Sequence, residues 1–476
     1  GGLHLGAELG IHGVQLFILQ GKESMIVAFL SDEDAKTRKN TALLIGDLKL
    51  EQAKDALIAA YLNETTLYVK SAYLTALGKL DVRENLEFFK NRLLEVKNQQ
   101  VPAEEQKHQG EEIRELNEII LKTEGAKKHQ FTGFQMPHEM LLLTNREQRE
   151  VTLSEVKEIG ASVQRKAELH PLGVLVFSKE VTPFTKLRTY RELLFPIHTN
   201  ERIPAMPHRA AELLWHSDLY AFLTECHEGD APFFFRLEVK SAELKTEFVK
   251  KLGASLEKKS DWKLANSTTD YEIEIRLIEA KDGSFVPFLK LYSMKMKRFA
   301  YRKNAIAMSI HPATAAMLMY LAKPYLKENA QILDPCCGVG TMLIERDILV
   351  PAREKYGIDI FGDAIDMARE NAALAGEKIN FIHRDYFDFK HDYKFDEIVT
   401  NMPVKGKKAK EDMDAFYARF FEKSKSLLAE DGIIIMYSNE VGFVKKQLRL
   451  QPCYRLIQEY TIRKKDSYCL FIIGMK

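Results

Sequence analysis

The sequence predicts a multidomain protein of the α and α/β classes, ending in a doubly wound sheet of seven strands. Its 476 residues exceed what one hydrophobic core usually holds, so we expect two to four domains. A helical pattern in the first hundred residues recurs after 32 residues, which indicates helical repeats. From Phe131 onward, short β-type runs alternate with helical stretches, which is typical of α/β domains.

The composition is that of a globular protein, with 46% hydrophobic and 29% charged residues. The 69 basic and 68 acidic residues nearly cancel, so any nucleic-acid surface has to be a local patch. The apolar runs are far shorter than the ~18 residues of a membrane span. The five cysteines contain no CxxC pair, and Cys336 and Cys337 are adjacent, so we expect no metal site and a reducing, cytoplasmic location.

The helical repeats are the first element. The segment Arg38–Leu48 recurs as Lys70–Leu80, and each copy runs into a second apolar helix, Ala53–Leu62 and Leu86–Val96. A period near 32 residues with paired helices predicts an α-solenoid of the HEAT type, and an ordinary helical bundle is the alternative. Neither reading is catalytic, and because solenoid faces usually bind something, we expect a protein partner here.

A basic stretch follows the α/β middle. The segment Lys290–Lys303 carries six basic residues and no acidic one, and aromatic rings are interleaved with them. Basic side chains bind phosphates and rings stack on bases, so the pattern favours nucleic-acid contact. The alternative is a solvated edge strand that leads into a linker. The predicted RNA-contacting residues are Lys295, Lys297, Arg298 and Arg302.

The C-terminal region opens with an apolar strand, Gln331–Leu333, then Asp334, a glycine-containing turn and a helix from near Thr341. An acid at the strand end and glycines in the turn allow a ligand to lie on the backbone at a helix N-terminus. Three further strands end in polar side chains: Asp359, Asp385 and Asn401. An acid at the end of the second strand is what a nucleotide ribose requires, so the sequence predicts a nucleotide-like ligand.

Two motifs in this region carry a family resemblance. The octapeptide Asp334-Pro-Cys-Cys-Gly-Val-Gly-Thr341 resembles the DPxCGxGT motif of S-adenosylmethionine-dependent methyltransferases that modify nucleic-acid bases. The tetrapeptide Asn401-Met-Pro-Val404 resembles their (N/D)-P-P-(Y/F) loop. Residues 131 to 290 are similar to the THUMP-domain subgroup, and Arg298–Arg302 is similar to its basic linker. The resemblance covers roughly residues 131 to 476.

The resemblance implies a Rossmann-like domain that transfers a methyl group from S-adenosylmethionine to the exocyclic 2-amino group of a guanosine in tRNA or rRNA. It places the cofactor against Asp334, Gly338, Gly340, Thr341, Asp359, Asp385 and Pro312, with the ribose on Asp359 and the adenine on Asp385. It assigns catalysis to Asn401, Met402 and Pro403. The Asn401 side-chain oxygen and the Met402 carbonyl would accept the N–H groups of the target amine.

Two residues of the loop depart from the family pattern. Met402 replaces a proline, which matters little because its carbonyl is the acting group. Val404 replaces an aromatic residue that stacks on the target base, a contact of about 1–3 kcal/mol, so we expect a ring elsewhere, such as Phe416 or Tyr437, to compensate. Two alternatives stay open: a methyltransferase acting on another planar amine such as a protein glutamine, and a catalytically silent RNA-binding or assembly factor.

These observations predict six segments. They are a HEAT-like region at 1–100, a linker helix at 101–130, a ferredoxin-like domain at 131–200, a THUMP-like RNA-binding domain at 201–290, a basic linker with a cofactor-side helix at 291–328, and a seven-stranded methyltransferase domain at 329–476.

Overall fold

The computed structural model describes residues 23–124, 128–159, 167–229, 232–243, 245–404 and 410–476. The chain divides into two compact units. The first contains the described residues of 1–129, 229–234 and 257–270, and the second contains those of 130–228, 235–256 and 271–476. The predicted basic loop at 405–408 lies outside the described residues. Within the described part of the chain, no helix combines the length and apolar character needed to cross a membrane.

The described N-terminal part of the first unit is helical. Its helices are α1 (Glu23–Ala28), α2 (Ala35–Asp47), α3 (Lys54–Asn63), α4 (Leu67–Leu77), α5 (Leu86–Asn98) and α6 (Gln106–Glu124). The starts of α2 and α4, at residues 35 and 67, are 32 residues apart, as are those of α3 and α5, at residues 54 and 86. The predicted helix pairs are therefore present, and their assignment to the HEAT type stays a prediction.

Helices α2 and α4 approach closely because the interface contains a glycine. A Cβ added to Gly46 would lie 2.7 Å from the Cα atom of Ala76, so a larger residue would push the two helices apart. Helix α6 also joins this core, through the buried side chains of Leu116 and Ile119. The helix predicted at 101–130 thus exists, but it packs as a member of the helical unit and does not stand apart as a linker.

The middle of the chain forms a sheet with flanking helices. Its strands are β2 (His138–Leu143), β3 (Ala167–His170), β4 (Gly173–Ser178), β5 (Glu192–Pro196), β7 (Phe233–Lys240), β9 (Ile273–Glu279) and β10 (Phe285–Leu291), while β8 (Leu264–Asn266) belongs to the first unit. Strands β1 (Gln130–Phe131) and β6 (His227–Glu228) pair with each other as a separate two-stranded sheet. Its helices are α7 (Arg149–Glu158), α8 (Thr182–Lys186), α9 (Pro207–Trp215), α10 (Leu219–Glu225) and α11 (Thr246–Lys259).

One sheet runs across the two α/β domains predicted at 131–200 and 201–290. Strands β3-β4-β2-β5-β10-β9-β7 are neighbours in this order. The joint is the antiparallel pair β5–β10, in which Phe195 faces Leu289 and Pro196 faces Phe288. The boundary near residue 200 therefore does not separate two sheets, and the ferredoxin-like and THUMP-like names stay predictions.

The C-terminal region forms the seven-stranded sheet that the sequence predicted. Its strands are β11 (Gln331–Asp334), β12 (Glu354–Asp359), β13 (Asn380–His383), β14 (Phe395–Asn401), β15 (Leu428–Ser438), β16 (Tyr454–Arg463) and β17 (Tyr468–Met475). Its helices are α12 (Pro312–Ala322), α13 (Thr341–Leu349), α14 (Gly362–Ala375), α15 (Lys410–Leu427) and α16 (Val441–Leu450).

The strand order of this sheet is β13-β12-β11-β14-β15-β17-β16. Strands β11 to β15 pair in parallel, and β17 lies antiparallel between β15 and β16. Parallel strands that are covered on both faces have continuous apolar sequences. In β15, the consecutive residues Ile434, Ile435 and Met436 are all buried. The carboxyl ends of the parallel strands and the first residue of β17 meet at one edge of the sheet, where ligands of open α/β sheets bind.

Candidate active site

The turn between β11 and α13 leaves its backbone open. Gly338 has φ +51° and Gly340 has φ +82°, in the left-handed region that favours glycine. No atom lies within 4 Å of the position of a Cβ on Gly338, whereas a Cβ on Gly340 would come within 2.9 Å of the Phe381 ring. Helix α13 begins directly after this turn, so exposed backbone at Gly338 lies beside a helix N-terminus.

Asp334 ends β11 and is buried, with 1% of its surface exposed. Its Oδ1 accepts a hydrogen bond from the Cys336 backbone N–H at 3.1 Å. The Thr400 hydroxyl lies near the carboxyl group, but Oδ2 has no hydrogen bond of good geometry within the described residues. Burial raises the pKa of Asp334 to about 8, and the nearby Asp359 carboxylate adds to the rise. A cation beside this carboxyl group would favour its ionised form and lower its pKa.

Asp359 ends β12 and connects the glycine turn to the second strand. Its Oδ2 accepts a hydrogen bond from the Gly338 backbone N–H at 2.9 Å, and its Oδ1 accepts one from the Phe361 N–H at 3.0 Å. The Cys337 backbone N–H also donates to the Ile358 carbonyl at 2.9 Å. The turn is therefore fixed to β12 at two points, with the Asp359 carboxylate half-buried at its rim.

Asn401 ends β14, the strand next to β11, and begins the predicted catalytic loop. It faces Tyr437 across the parallel pair β14–β15, and the Met402 backbone N–H donates to the Tyr437 carbonyl at 2.9 Å. The Met402 side chain is buried in the core, while Asn401, Pro403 and Val404 are half-buried. The loop is thus anchored by its second residue, and Asn401 is held at the edge of the sheet.

One cavity of about 260 Å³ collects these features. Its lining residues are Ile306, Met308, Ser309, Ile310, Asp334, Cys336, Cys337, Gly338, Val339, Thr341, Met342, Asp359, Phe361, Asn401, Met402, Pro403, Val404 and Tyr468. The volume is slightly below the ~300–1,000 Å³ of small-molecule pockets. Because the cavity is small, a nucleotide-sized ligand would fill it and extend to its mouth, where a second substrate can contact the ligand.

The cavity fits the cofactor that the resemblance implies. S-adenosylmethionine has a cationic amino group at its methionine end and hydroxyl groups on its ribose. The Oδ2 of Asp334 and the Oγ1 of Thr341 are buried without a partner in the described residues, and both residues line the cavity. Asp334 suits the amino group, Asp359 suits the ribose, and the space at Gly338 admits the ligand against the backbone.

Three predicted cofactor contacts, Gly340, Asp385 and Pro312, lie outside the cavity lining, and Gly340 is buried against the Phe381 ring. Asp385 follows β13 as predicted, but it is exposed and its Oδ1 accepts a hydrogen bond from the Phe387 N–H at 2.9 Å. Pro312 is buried as the first residue of α12, and the residues before it form the cavity wall instead. The cofactor contacts of Gly340, Asp385 and Pro312 stay predictions.

Sequence reasoning missed two aromatic residues of the cavity, Phe361 and Tyr468. Phe361 follows Asp359 by two positions, so the acid at the end of β12 was an available signal. Tyr468 had no local signal, because only the strand order brings β17 beside β15. The rings proposed to replace an aromatic at 404 do not line the cavity: Tyr437 is buried behind it, and Phe416 lies against Phe387.

The predicted RNA contact of Arg298 needs correction. Its guanidinium donates hydrogen bonds to the backbone carbonyls of Leu187, Tyr190 and Arg191 at 2.7–2.8 Å, and it lies 3.7 Å from the centre of the Tyr190 ring. Burial lowers the pKa of Arg298. The side chain therefore binds the segment before β5, and a phosphate could reach it only by breaking these bonds.

The other three basic residues differ in accessibility. Arg302 is half-buried, and its Nη2 donates to the Ile310 carbonyl at 3.2 Å, beside the cavity wall. Lys295 and Lys297 are exposed. The patch therefore retains two side chains that are open to an RNA backbone, and their role stays a prediction.

In the described parts of the chain, no group of three or more His, Cys, Asp or Glu side chains could hold a metal ion.

The C-terminal region matches a known family model. Residues 300–463 match the family UPF0020, described as an RMKL-like methyltransferase domain. The match includes the glycine turn, the acidic strand ends Asp334 and Asp359 and the Asn401 loop, and it ends before Tyr468.

Individual proteins agree with this match. The chain is 33% identical over 162 residues to a tRNA (guanine(10)-N2)-dimethyltransferase of Methanothermobacter thermautotrophicus, a match that covers 33% of this chain and 46% of that protein. TrmN from Thermus thermophilus aligns with a TM-score of 0.51 at 19% identity, over 71% of this chain and 99% of that one. SMU.472, solved in complex with SAH, aligns with a TM-score of 0.54 at 14% identity, over 71% and 98%. At these identities the two solved structures show the fold alone. This chain spans less than half the length of the Methanothermobacter relative.

Proposed function

We propose that this chain, whose residues 300–463 belong to the RMKL-like methyltransferase domain family, methylates the exocyclic 2-amino group of a guanosine in structured RNA, tRNA or rRNA. The observation that carries the proposal is that the Asn401–Val404 loop lines the same cavity as Asp334, Asp359 and Gly338. The name of the Methanothermobacter relative, a tRNA guanine-N2 dimethyltransferase, supports the choice of amine and RNA. A cytoplasmic location remains part of the proposal.

S-adenosylmethionine is the cofactor of this family, and when bound it supplies an electrophilic methyl group on a sulfonium centre. The chain holds it through Asp334, whose unpartnered Oδ2 fits its amino group, and through Asp359 and the backbone of Gly338. Since Asp334 has a raised pKa without a cation beside it, it is the residue whose protonation changes on binding.

The Asn401 loop acts on the target amine. An exocyclic aromatic amine is a poor nucleophile because its lone pair is delocalised into the ring. Two acceptors directed at its N–H groups, the Asn401 side-chain oxygen and the Met402 carbonyl, increase the lone-pair density on nitrogen and orient it. Because Met402 is anchored to Tyr437, these acceptors are fixed before the substrate arrives, and orientation and preorganised dipoles provide most of the rate gain. The proton of the product leaves to water.

The test is methyl incorporation by wild type and by Asn401→Ala. Each protein is incubated with isotope-labelled S-adenosylmethionine and tRNA or rRNA from cells that lack the gene, and nucleosides are identified by mass spectrometry. We expect labelled 2-methylguanosine with wild type and a loss of roughly 10²–10³-fold or more with Asn401→Ala, by analogy with the loss of one preorganised transition-state contact. Cofactor affinity, measured by calorimetry, should not change, because the lost acceptor acts on the transition state.

Asn380→Ala is the matched control, because Asn380 is an exposed asparagine at the opposite end of the same sheet. It should methylate like wild type. If Asn401→Ala also did so, the loop would be a structural turn. If wild type labelled no cellular RNA, the silent RNA-binding alternative would replace the proposal.

A further inference from the structure

The cavity has two sides, defined by the strand order. Strands β11 and β12 carry Asp334 and Asp359 on the cofactor side, and β14, β15 and β17 lie on the other side of β11. Of the lining residues, Phe361 and Tyr468 have aromatic rings. Phe361 follows β12 and so belongs to the cofactor side, while Tyr468 begins β17 on the side of the Asn401 loop.

We propose that Tyr468 is a positioning residue for the target base and supplies the aromatic contact that Val404 cannot make. The inference rests on the proposed function, because it assigns a substrate contact in the same cavity. It goes beyond that function by locating the base on the β15–β17 side of the sheet.

The register explains why a distant residue can take this place. Strand β17 runs antiparallel to β15, and Ser438 at the end of β15 faces Cys469 near the start of β17. Asn401 at the end of β14 faces Tyr437, one residue before Ser438. The first residue of β17 therefore reaches the same edge as the last residue of β14, although 67 positions separate them in sequence.

The Tyr468 ring is held in place by its neighbours. The Tyr437 ring stacks on it with centroids 4.9 Å apart and planes 29° apart, and the Arg463 guanidinium lies 4.2 Å from its centre. Tyr437 is 5% exposed and also accepts the Met402 N–H through its carbonyl. One buried residue thus supports both the catalytic loop and the Tyr468 ring, which fixes the distance between acceptor and ring.

A planar base gains from such a fixed wall. When alanine replaces an aromatic side chain that contacts a base, affinity falls by roughly 5- to 150-fold. Val404 offers a small aliphatic surface at the position where the family has a ring, so the loop alone gives the base little contact. Tyr468 adds the missing surface without changing the Asn401 and Met402 acceptors.

The test combines four variants in single-turnover assays with an unmethylated RNA that the wild-type protein methylates. Tyr468→Ala should lower kcat/KM by about 10- to 100-fold with unchanged cofactor affinity, and Tyr468→Phe, which keeps the ring, should recover most of that loss. The double variant Val404→Tyr/Tyr468→Ala should regain activity over Tyr468→Ala, because a ring returns to the cavity from the loop. Tyr393→Ala is the control, since Tyr393 is an exposed tyrosine outside the cavity.

A second readout separates this inference from the proposed function. RNA carrying 6-thioguanosine is bound, irradiated and digested, and the crosslinked peptide is sequenced. A crosslink at Tyr468 without any methyl transfer would leave the base contact standing and remove the proposed function. Methyl transfer by Tyr468→Ala at the wild-type rate, or an equal loss with Tyr468→Phe, would overturn the role of the ring while the function stands.

Discussion

At the scale of single residues, Asp334 determines how the cofactor site responds to pH. Its pKa of about 8 lies above the ordinary range of an aspartic acid because the carboxyl is buried beside Asp359. The folded, cofactor-free protein therefore holds a proton that the unfolded chain releases near pH 4. Between about pH 4 and pH 8 this group lowers the free energy of unfolding as pH rises, because the folded state binds more protons. A cation bound at Oδ2 stabilises the ionised carboxyl group and so removes this loss of stability at higher pH.

We therefore predict that S-adenosylmethionine binds more tightly as pH rises from 6 to 7.5, with a dependence that approaches about tenfold per pH unit. Binding should release a proton, visible by calorimetry in two buffers of different ionisation enthalpy. Asp334→Asn should bind weakly and without this pH dependence, whereas Asp363→Asn, a change at an exposed acid of α14, should behave as wild type. Equal wild-type affinity at pH 6 and pH 7 would contradict the assignment.

The residues whose positions in the cavity could be predicted from the sequence share a local cause. Asp334, Asp359 and Asn401 each end a β-strand, and the carboxyl ends of parallel strands meet at one edge, so local patterning suffices to place them together. Arg298 shows the opposite case. Its charge is visible in the sequence, but the three carbonyls that bind it come from residues more than 100 positions earlier.

At the scale of elements, two consecutive residues of helix α13, Glu345 and Arg346, fix the helix to its neighbours. Glu345 accepts two hydrogen bonds from the Arg188 guanidinium at 2.8 Å and one from Tyr301 at 2.6 Å, which connects the helix to the middle sheet and the linker. Arg346 pairs with Glu397 of β14 at 2.7 Å, and both side chains are fully buried. The helix after the glycine turn is thus fixed to the strand that ends in Asn401.

Glu397→Ala should lower the free energy of unfolding by about 3–5 kcal/mol, because it leaves the Arg346 charge buried without a partner. Asp431→Ala breaks the exposed pair of Asp431 with Lys327 and should cost less than about 1 kcal/mol. The measurement is denaturant unfolding, read at the transition that S-adenosylmethionine shifts, since a chain of two units need not unfold in one step. Similar costs for the two variants would show that the buried pair does not anchor α13.

Element order marks the limit of prediction from this sequence. The seven strands and their final hairpin follow from apolar runs and turn residues. The insertion of β17 between β15 and β16 cannot be predicted from such local patterns, because strand pairing depends on contacts between distant segments. Tyr468 was missed for that reason, whereas the glycine turn, which is local, was found.

At the scale of the whole molecule, electrostatics confines any RNA surface to a part of the chain. The formal net charge is +1, so the summed charge alone draws a polyanion only weakly. Within the patch at 290–303, Lys290 pairs with Glu192, Lys303 pairs with Glu370, and Arg298 binds backbone carbonyls. Lys295 and Lys297 are the exposed residues of the four that the sequence predicted to contact RNA. Phosphate contact should therefore depend on these two lysines.

The double variant Lys295→Ala/Lys297→Ala should weaken RNA binding and reduce the slope of log K against log salt concentration by about 2, because each lost phosphate contact releases one counterion fewer. Filter binding or fluorescence anisotropy across a salt series measures both quantities. Lys378→Ala/Lys390→Ala is the matched control, because these exposed lysines lie outside residues 290–303 and should leave the slope unchanged. Since the change removes charge and leaves the cavity intact, cofactor affinity should stay at the wild-type value. If the slope of the Lys295/Lys297 variant equals that of wild type, RNA does not contact this patch, and the protein holds its substrate through another surface.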